Sequence, residues 1–245
     1  MSNPFVRKME SFVRLSPDDR RMLESAVERT HRLGPRENII HEGVEPNVVN
    51  VVLDGWACRY KVLLDGRRQI VSLLLPGDMC DPHVFLLPTM DQSLGTITSV
   101  TLAKVPGPTI RAMAARSFAL AEAMNWEMLV SAEIQREWTV SLGRRTAAER
   151  LAHLFCEVAT RLQVIGRQNG PDCELPLTQS DLADAMGLST VHVNRTLQEL
   201  KARGMVELRS KRLVIHDREG LEGLALFDPG YLHRRSDHDL AHLSA

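Results

Sequence analysis

Aromatic residues make up only 4% of this 245-residue chain, too few for a surface that stacks sugars or bases along its length. No run approaches the roughly 18 consecutive apolar residues that a bilayer-spanning helix needs, so no membrane partner is expected. Residues 1–21 carry Lys8, Glu10, Asp18 and Asp19 where a secretory signal would have an apolar stretch. The four cysteines (Cys58, Cys80, Cys156 and Cys173) are far apart with no Cys-x-x-Cys pair, which fits reduced thiols in a cytoplasmic protein better than a disulfide framework or a zinc site. A Gly-x-Ser-x-Gly elbow, a P-loop and a His-Glu-x-x-His helix are all missing, and no enzyme is expected. An excess of one charge is missing as well: 30 Lys and Arg face 31 Asp and Glu, for a net charge of −1. Nothing global therefore announces a nucleic-acid or membrane-surface binder. What remains is an ordinary globular composition, 44% hydrophobic and 25% charged, long enough for one large domain or two smaller ones.

The pattern changes along the chain. From residue 34 to 106, Gly34-Pro35, Gly43, Gly55, Gly66 and Pro76-Gly77 punctuate short apolar runs at 48–53, 57–64, 69–75 and 96–105. Runs of this kind between turn signals predict β-strands, with Asp54-Gly55 and Asp65-Gly66 as hairpin-type turns. Regularly spaced strands predict a small barrel or jelly roll.

From Thr109 to about Leu142 Pro and Gly become rare, which predicts one long helix. Ala121, Met124, Met128, Ser131, Gln135, Trp138 and Leu142 take alternating three- and four-residue steps, a heptad seam. That seam fits either a helix lying on its own barrel or a dimeric coiled coil. Thr146-Ala147-Ala148-Glu149 has capping-box form and starts a second helix carrying Leu151, Leu154, Phe155, Val158, Leu162 and Ile165 on one face. Residues 143–146 then form a hinge, and Gly166 to Pro176 a polar loop. The expected division is a β-barrel domain at 1–108, a long helix and hinge at 109–145, and a third region at 146–245.

Residues 178–203 carry the most specific signal. Thr178 caps a helix that buries Leu182, Ala183 and Met186, Gly187 ends it, and Ser189 caps a second helix with Val193, Leu197 and Leu200 on its inner face. This is a helix-turn-helix, whose second helix enters the major groove of double-stranded DNA. Thr190, Val191, His192, Asn194 and Arg195 are its candidate base contacts: Arg pairs with guanine, Asn with adenine, and Val meets a thymine methyl. Thr178, Gln179, Ser180 and Ser189 at the helix starts, with Lys211 and Arg212 on a strand pair predicted over 205–216, are candidate phosphate contacts. From His192 to Arg218 seven Lys and Arg face three acidic residues, a local excess of four positive charges that the overall balance hides.

The order of barrel, long helix, hinge and winged helix-turn-helix resembles the CRP/FNR family of bacterial transcription regulators over residues 15–230. The resemblance rests on Ile40-His41-Glu42-Gly43, Leu53-Asp54-Gly55, Pro76-Gly77-Asp78, Arg150-Leu151-Ala152, Leu177-Thr178-Gln179-Ser180-Asp181-Leu182-Ala183 and the run Leu188 to Leu197. It implies an α+β chain: a jelly-roll barrel of the cyclic-nucleotide-binding type, a long dimerisation helix (Met124, Met128, Gln135, Trp138 and Leu142 at its seam) and a C-terminal winged helix-turn-helix. It further implies a homodimer on a near-palindromic site, a small-molecule effector, and RNA polymerase as a partner. Arg195 matches the family's guanine-contacting Arg, but Val191 stands where an acidic residue is usual. Val cannot accept from cytosine N4, so the expected half-site tolerates or prefers thymine at that base pair.

The effector segments depart from the family's cAMP pattern. Asp81-Pro82 stands where a ribose-holding Gly-Glu belongs, and Gln92-Ser93 where an Arg-Ser pair would hold the cyclic phosphate. Losing that Arg removes the charge-assisted bond to phosphate, so cAMP is not the expected effector. An iron–sulfur cluster needs clustered N-terminal thiols, and no cysteine precedes Cys58. Haem is an alternative, because Cys80 and His83 resemble the Cys/His ligand segment of the family's carbon-monoxide sensor, with altered spacing. Asp81, His83, Gln92 and Ser93 are the effector-pocket candidates, and Asp78, Asp81 and His83 give a cupin-like metal site as a further alternative. His238 and His242, four residues apart near the C-terminus, form a metal pair without a third ligand and read as a solvated tail.

Overall fold

The computed structural model describes residues 3–80, 86, 88–168 and 170–233. Two short helices open the chain, α1 (Pro4–Glu10) and α2 (Pro17–Ala26). Ser16 and Asp19 cap the second reciprocally. Among the described residues seven strands come next: β1 (Thr30–Leu33), β2 (Asn38–Ile40), β3 (Val48–Asp54), β4 (Ala57–Val62), β5 (Arg68–Leu74), β6 (Ser93–Thr96) and β7 (Val100–Pro106). They form two sheets, of order β1-β7-β3 and β2-β6-β4-β5. Val52, Ala57, Leu74, Cys80, Met90, Leu94, Val100 and Leu102 form one apolar cluster drawing on strands of both. Gly55 makes the β3–β4 turn possible: its φ is +80°, and a Cβ there would lie 2.1 Å from the Ser99 carbonyl oxygen. Lys8 on α1 bridges two buried carboxylates, Asp78 in the Pro76-Gly77-Asp78 turn and Glu127.

The helical half comprises α3 (Gly107–Arg116), α4 (Phe118–Arg144), α5 (Ala147–Val164), α6 (Gln179–Met186), α7 (Thr190–Ala202) and α8 (Arg218–Ala225), ending in a 3₁₀ turn at Pro229–Leu232. Interleaved strands β8 (Asp172–Glu174), β9 (Val206–Arg209) and β10 (Arg212–Ile215) pair in the order β8-β10-β9. The chain groups into two compact units. One holds the residues up to Lys61 and Ser72–Ala132, and the other holds Val62–Val71 and Glu133–Leu232. Among the described residues no helix is long and apolar enough to cross a membrane.

Three expectations need correction. The single helix from Thr109 is broken at Ser117, whose φ and ψ of −136° and 119° are extended and whose hydroxyl accepts from Leu120 N at 3.3 Å, starting α4 afresh. The polar loop at 166–176 contains β8, a third wing strand built around the buried Cys173. The run at 96–105 is not one strand either, since β6 ends at Thr96 and β7 starts at Val100.

The core of the second unit encloses ionisable groups. Glu157 is fully buried on α5, and His153, one turn earlier, is 2% exposed. Burial, reinforced by the nearby Arg145 cation, pushes the His153 imidazole down to about 4. Glu137 lies 3.5 Å from His153 Nε2 but does not reverse this, because Arg145 pairs with the same carboxylate oxygen at 3.1 Å. His153 is therefore neutral when folded, whereas the unfolded imidazole titrates near its ordinary 6.5. As pH falls from about 6.5 to 4, the unfolded chain takes up a proton that the folded chain refuses. Stability that is full above this window is lost across it, by on the order of 3 kcal/mol. Denaturant midpoints measured from pH 7 to pH 4 should fall more steeply for the unaltered protein than for His153→Phe; parallel curves would contradict the assignment.

Candidate nucleic-acid interface

α6 begins at Thr178, whose backbone N–H donates to Asp181 Oδ2 at 2.9 Å while its Oγ1 accepts from Asp181 N at 3.1 Å. The Thr178 hydroxyl also donates to that carboxylate at 2.7 Å, so it is engaged within the chain. Gln179 and Ser180 are exposed at the positive end of the α6 dipole. α6 ends at Gly187, whose φ and ψ of 62° and 40° are left-handed; a Cβ there would also press on Leu142 at 3.3 Å. The amides of Gly187 and Leu188 both return to the Ala183 carbonyl. Ser189 then caps α7, its Oγ accepting from His192 N at 3.2 Å. The connection between the helices is thereby only three residues long, Gly187 to Ser189, and it is capped at both ends.

α7 buries Val193, Thr196 and Leu200. Thr190, Val191, Asn194, Arg195 and Gln198 are exposed, Val191 at 78%, and His192 is half-buried. Residues 191, 194, 195 and 198 share one helical face. Gln198 was not among the sequence candidates, although its spacing from Val191 and Asn194 places it on that stripe one turn further along.

Two side chains that sequence reasoning missed hold the α6–α7 turn from behind. Arg150 on α5 donates Nη1 to the Met186 carbonyl and Nε to the Arg145 carbonyl, both at 2.9 Å. Gln69, at the start of β5, donates its amide to the Ala185 carbonyl at 3.2 Å. Three carbonyls that α6 and the hinge leave unpaired are satisfied this way. The only sequence signal was Arg150 in the Arg-Leu-Ala motif, which says nothing about its target.

On the wing, Ser210 and Lys211 form the β9–β10 turn with φ of 51° and 61°, the left-handed pair that a two-residue hairpin needs. Both are exposed. The basic edge is less free than its composition implies. Arg212 pairs with Asp172 at 2.6 Å, Lys201 with Glu207 at 3.2 Å and Arg218 with Glu222 at 2.7 Å. The side chains of Arg195 and Lys211 have no acidic partner among the described residues.

The other candidates are dispersed. Ser93 Oγ accepts from Glu42 N at 3.0 Å, and Gln92 beside it is half-buried. Asp81 and His83 lie outside the described residues, as do His238 and His242. Cys80 sits in the apolar cluster, its carbonyl accepting from Arg59 Nε at 2.9 Å; as a haem ligand its thiolate would have to turn out of that packing. Of the α4 seam residues, Met124 and Trp138 are buried within the chain, Gln135 donates to the Val71 carbonyl, and Met128 and Leu142 are half-buried. The more exposed stripe runs one step round, through Asn125, Leu129, Ala132, Arg136 and Val140. Among the described residues no group of three His, Cys, Asp or Glu could hold a metal ion.

Comparison with known proteins agrees with this geometry. Residues 149–224 match the Crp-like helix-turn-helix domain, and residues 30–117 match the cyclic nucleotide-binding domain. The chain is 30% identical over 190 residues to the transcriptional activator protein FnrL of Cereibacter sphaeroides, covering 76% of this chain and 75% of that one. The chain belongs to the CRP/FNR family of transcription regulators. It is also 33% identical over 182 residues to the nitrogen fixation regulation protein FixK of Azorhizobium caulinodans, covering 72% of this chain and 71% of the other. The solved structure of FixK2 from Bradyrhizobium japonicum superposes with a TM-score of 0.70 at 26% identity, over 80% of this chain and 96% of that one. This CRP/FNR protein is thus a DNA-binding transcription regulator, not an enzyme, and its N-terminal sheets are those of a cyclic-nucleotide-binding-type domain.

The site's chemistry predicts two outcomes. Replacing Ser210 by Asn and Lys211 by Gly removes two strained left-handed residues and should raise stability by about 1 kcal/mol; a lower melting temperature would contradict the turn assignment. Burial pushes the Cys156 thiol up to about 12 and the Cys173 thiol up to about 11. A thiol reagent at neutral pH should therefore modify neither until denaturant is added, and prompt modification of the folded protein would refute their role as inert core residues.

Proposed function

We propose that this CRP/FNR regulator is a homodimer reading a near-palindromic duplex, with the α7 of each protomer in a major groove. The observation that carries the reading is the exposed α7 stripe of Val191, Asn194 and Arg195 behind a three-residue turn capped at both ends. Arg195, which pairs with no carboxylate among the described residues, pairs with guanine, Asn194 with adenine, and Val191 packs on a thymine methyl. Thr190 and His192 flank this set. Ser189 and the N-terminal residues of α6, Thr178, Gln179 and Ser180, lie against phosphate together with Lys211. Arg212 joins them only by leaving Asp172.

The stripe Asn125, Leu129, Ala132, Arg136 and Val140 supports dimerisation through α4: its steps of three and four residues are those of a coiled-coil seam, and Leu129 and Val140 are 40% and 48% exposed. The effector is a small molecule other than cAMP, because Gln92 offers no charge to a cyclic phosphate. Such a protein acts in the cytoplasm and engages RNA polymerase at its promoter.

Arg195→Ala should cost about 1–3 kcal/mol of specific binding and relax discrimination at one base pair of each half-site. Lys211→Ala should weaken binding to every sequence alike and lower the slope of log K against log salt by about 1 per protomer bound, with a smaller change for Arg212→Ala. Fluorescence anisotropy on specific and scrambled duplexes across a salt series measures both. Unchanged discrimination in Arg195→Ala would sink the docking.

A further inference from the structure

The chain does not stop at the wing. After α8, Leu226 adopts a left-handed conformation at φ 49° while 74% exposed, and this reverses the chain so that residues 227–232 return across α5. Phe227 meets the His153 ring edge-on, with centroids 5.2 Å apart at 71°, and Tyr231 stacks on the same ring at 5.8 Å and 16°. The Tyr231 hydroxyl donates to Glu157 Oε2 at 3.2 Å, and the Trp138 indole N–H of α4 donates to the same oxygen at 2.9 Å. Arg161 Nη1 binds the other oxygen at 3.1 Å. Arg145, in the hinge, donates to Glu137 and to the Ala225 carbonyl at the end of α8. The end of α4, α5 and the returning segment thus meet around one buried carboxylate, Arg145 ties the hinge to α4 and α8 beside it, and α5 is also the helix from which Arg150 reaches the α6–α7 turn.

We propose that residues Phe227–Leu232 are a strap that fixes the α4–α5 hinge, with Tyr231 as a positioning residue that acts through Glu157 to set the angle at which α7 is presented to DNA. The carboxylate explains why a strap is needed. Burial pushes the Glu157 carboxyl above its ordinary range, against the opposing pull of Arg161, Trp138 and Tyr231. With the Tyr231 hydroxyl gone, Glu157 loses one of its three donors and the returning segment loses its polar tie to α5, so the end of α4 and the hinge open to water more often. The strap holds none of the proposed base or phosphate contacts. Its effect falls on the distance between two reading helices, not on what either helix reads.

The spacing readout rests on the proposed homodimer, so the test has two arms on the full-length chain. Tyr231→Phe and Tyr231→Ala are compared with the unaltered protein by amide hydrogen exchange and by affinity for palindromes whose half-sites are moved apart or together by one base pair. Exchange over residues 137–147 should quicken by about tenfold in Tyr231→Ala. The affinity ratio between the best spacing and its neighbours should shrink several-fold, while the penalty for a wrong base within a half-site stays unchanged. A residue that merely stabilised the fold would lower affinity for all spacings in parallel. That result, or unchanged exchange over 137–147, overturns the proposal. If the unaltered protein prefers no spacing, the dimeric reading has failed and the exchange arm alone decides the strap. Tyr231→Phe, which removes one hydroxyl and keeps the stacked ring, gives the same test should Tyr231→Ala fold poorly.

Discussion

The geometry of the DNA-reading half depends on the fork made by Arg150. Its guanidinium joins the carbonyl of Arg145 in the hinge to that of Met186 at the end of α6, both at 2.9 Å. A planar, always-charged group with donors at set angles holds two carbonyls in one relation, which a flexible ammonium would not. The Gly187 turn comes directly after the second carbonyl, and α7 starts three residues beyond it with no slack between. The rigidity of the exposed stripe on α7 is inherited from this contact and from the left-handed glycine, so the stripe can act as a pre-organised surface.

Electrostatics operates locally on that scaffold. A formal charge of −1 would disqualify a uniformly basic DNA binder, yet the charge that matters is the part left unpaired. Carboxylates hold Lys201, Arg212 and Arg218 in place, while Arg195 on α7 and Lys211 at the wing turn have no acidic partner among the described residues. Val191 in place of the acidic residue usual in the family acts in the same direction, because it takes a competing carboxylate away from Arg195.

Much of this was written in local sequence. The Thr146 capping box, the Thr178 cap, the Gly187 stop and the strand pair within 205–216 lie where side-chain chemistry and spacing predict, because each is decided within a few residues of chain. The failures have another character: most depend on partners distant in sequence. β8 is three residues long and exists through pairing with β10. Heptad steps located a seam on α4 but not which stripe turns inward; Trp138 lies inside because Glu157 accepts from its indole. The aromatic contacts of Phe227 and Tyr231 had no sequence signature, since neither residue has a periodic neighbour. Ser117 is the local exception, a residue that looks like any on a helix surface until its hydroxyl is seen to restart α4.

The central claim is that α7 reads DNA with Val191 and Arg195 as its discriminating pair. Selection from random duplexes, run with the unaltered protein and with Val191→Glu, tests it most directly. The account predicts guanine opposite Arg195 in both pools, with thymine tolerated or preferred at the adjoining position for the unaltered protein and cytosine contacted by the glutamate in the variant. Identical half-sites from the two pools, or a half-site that selects no guanine, would contradict it.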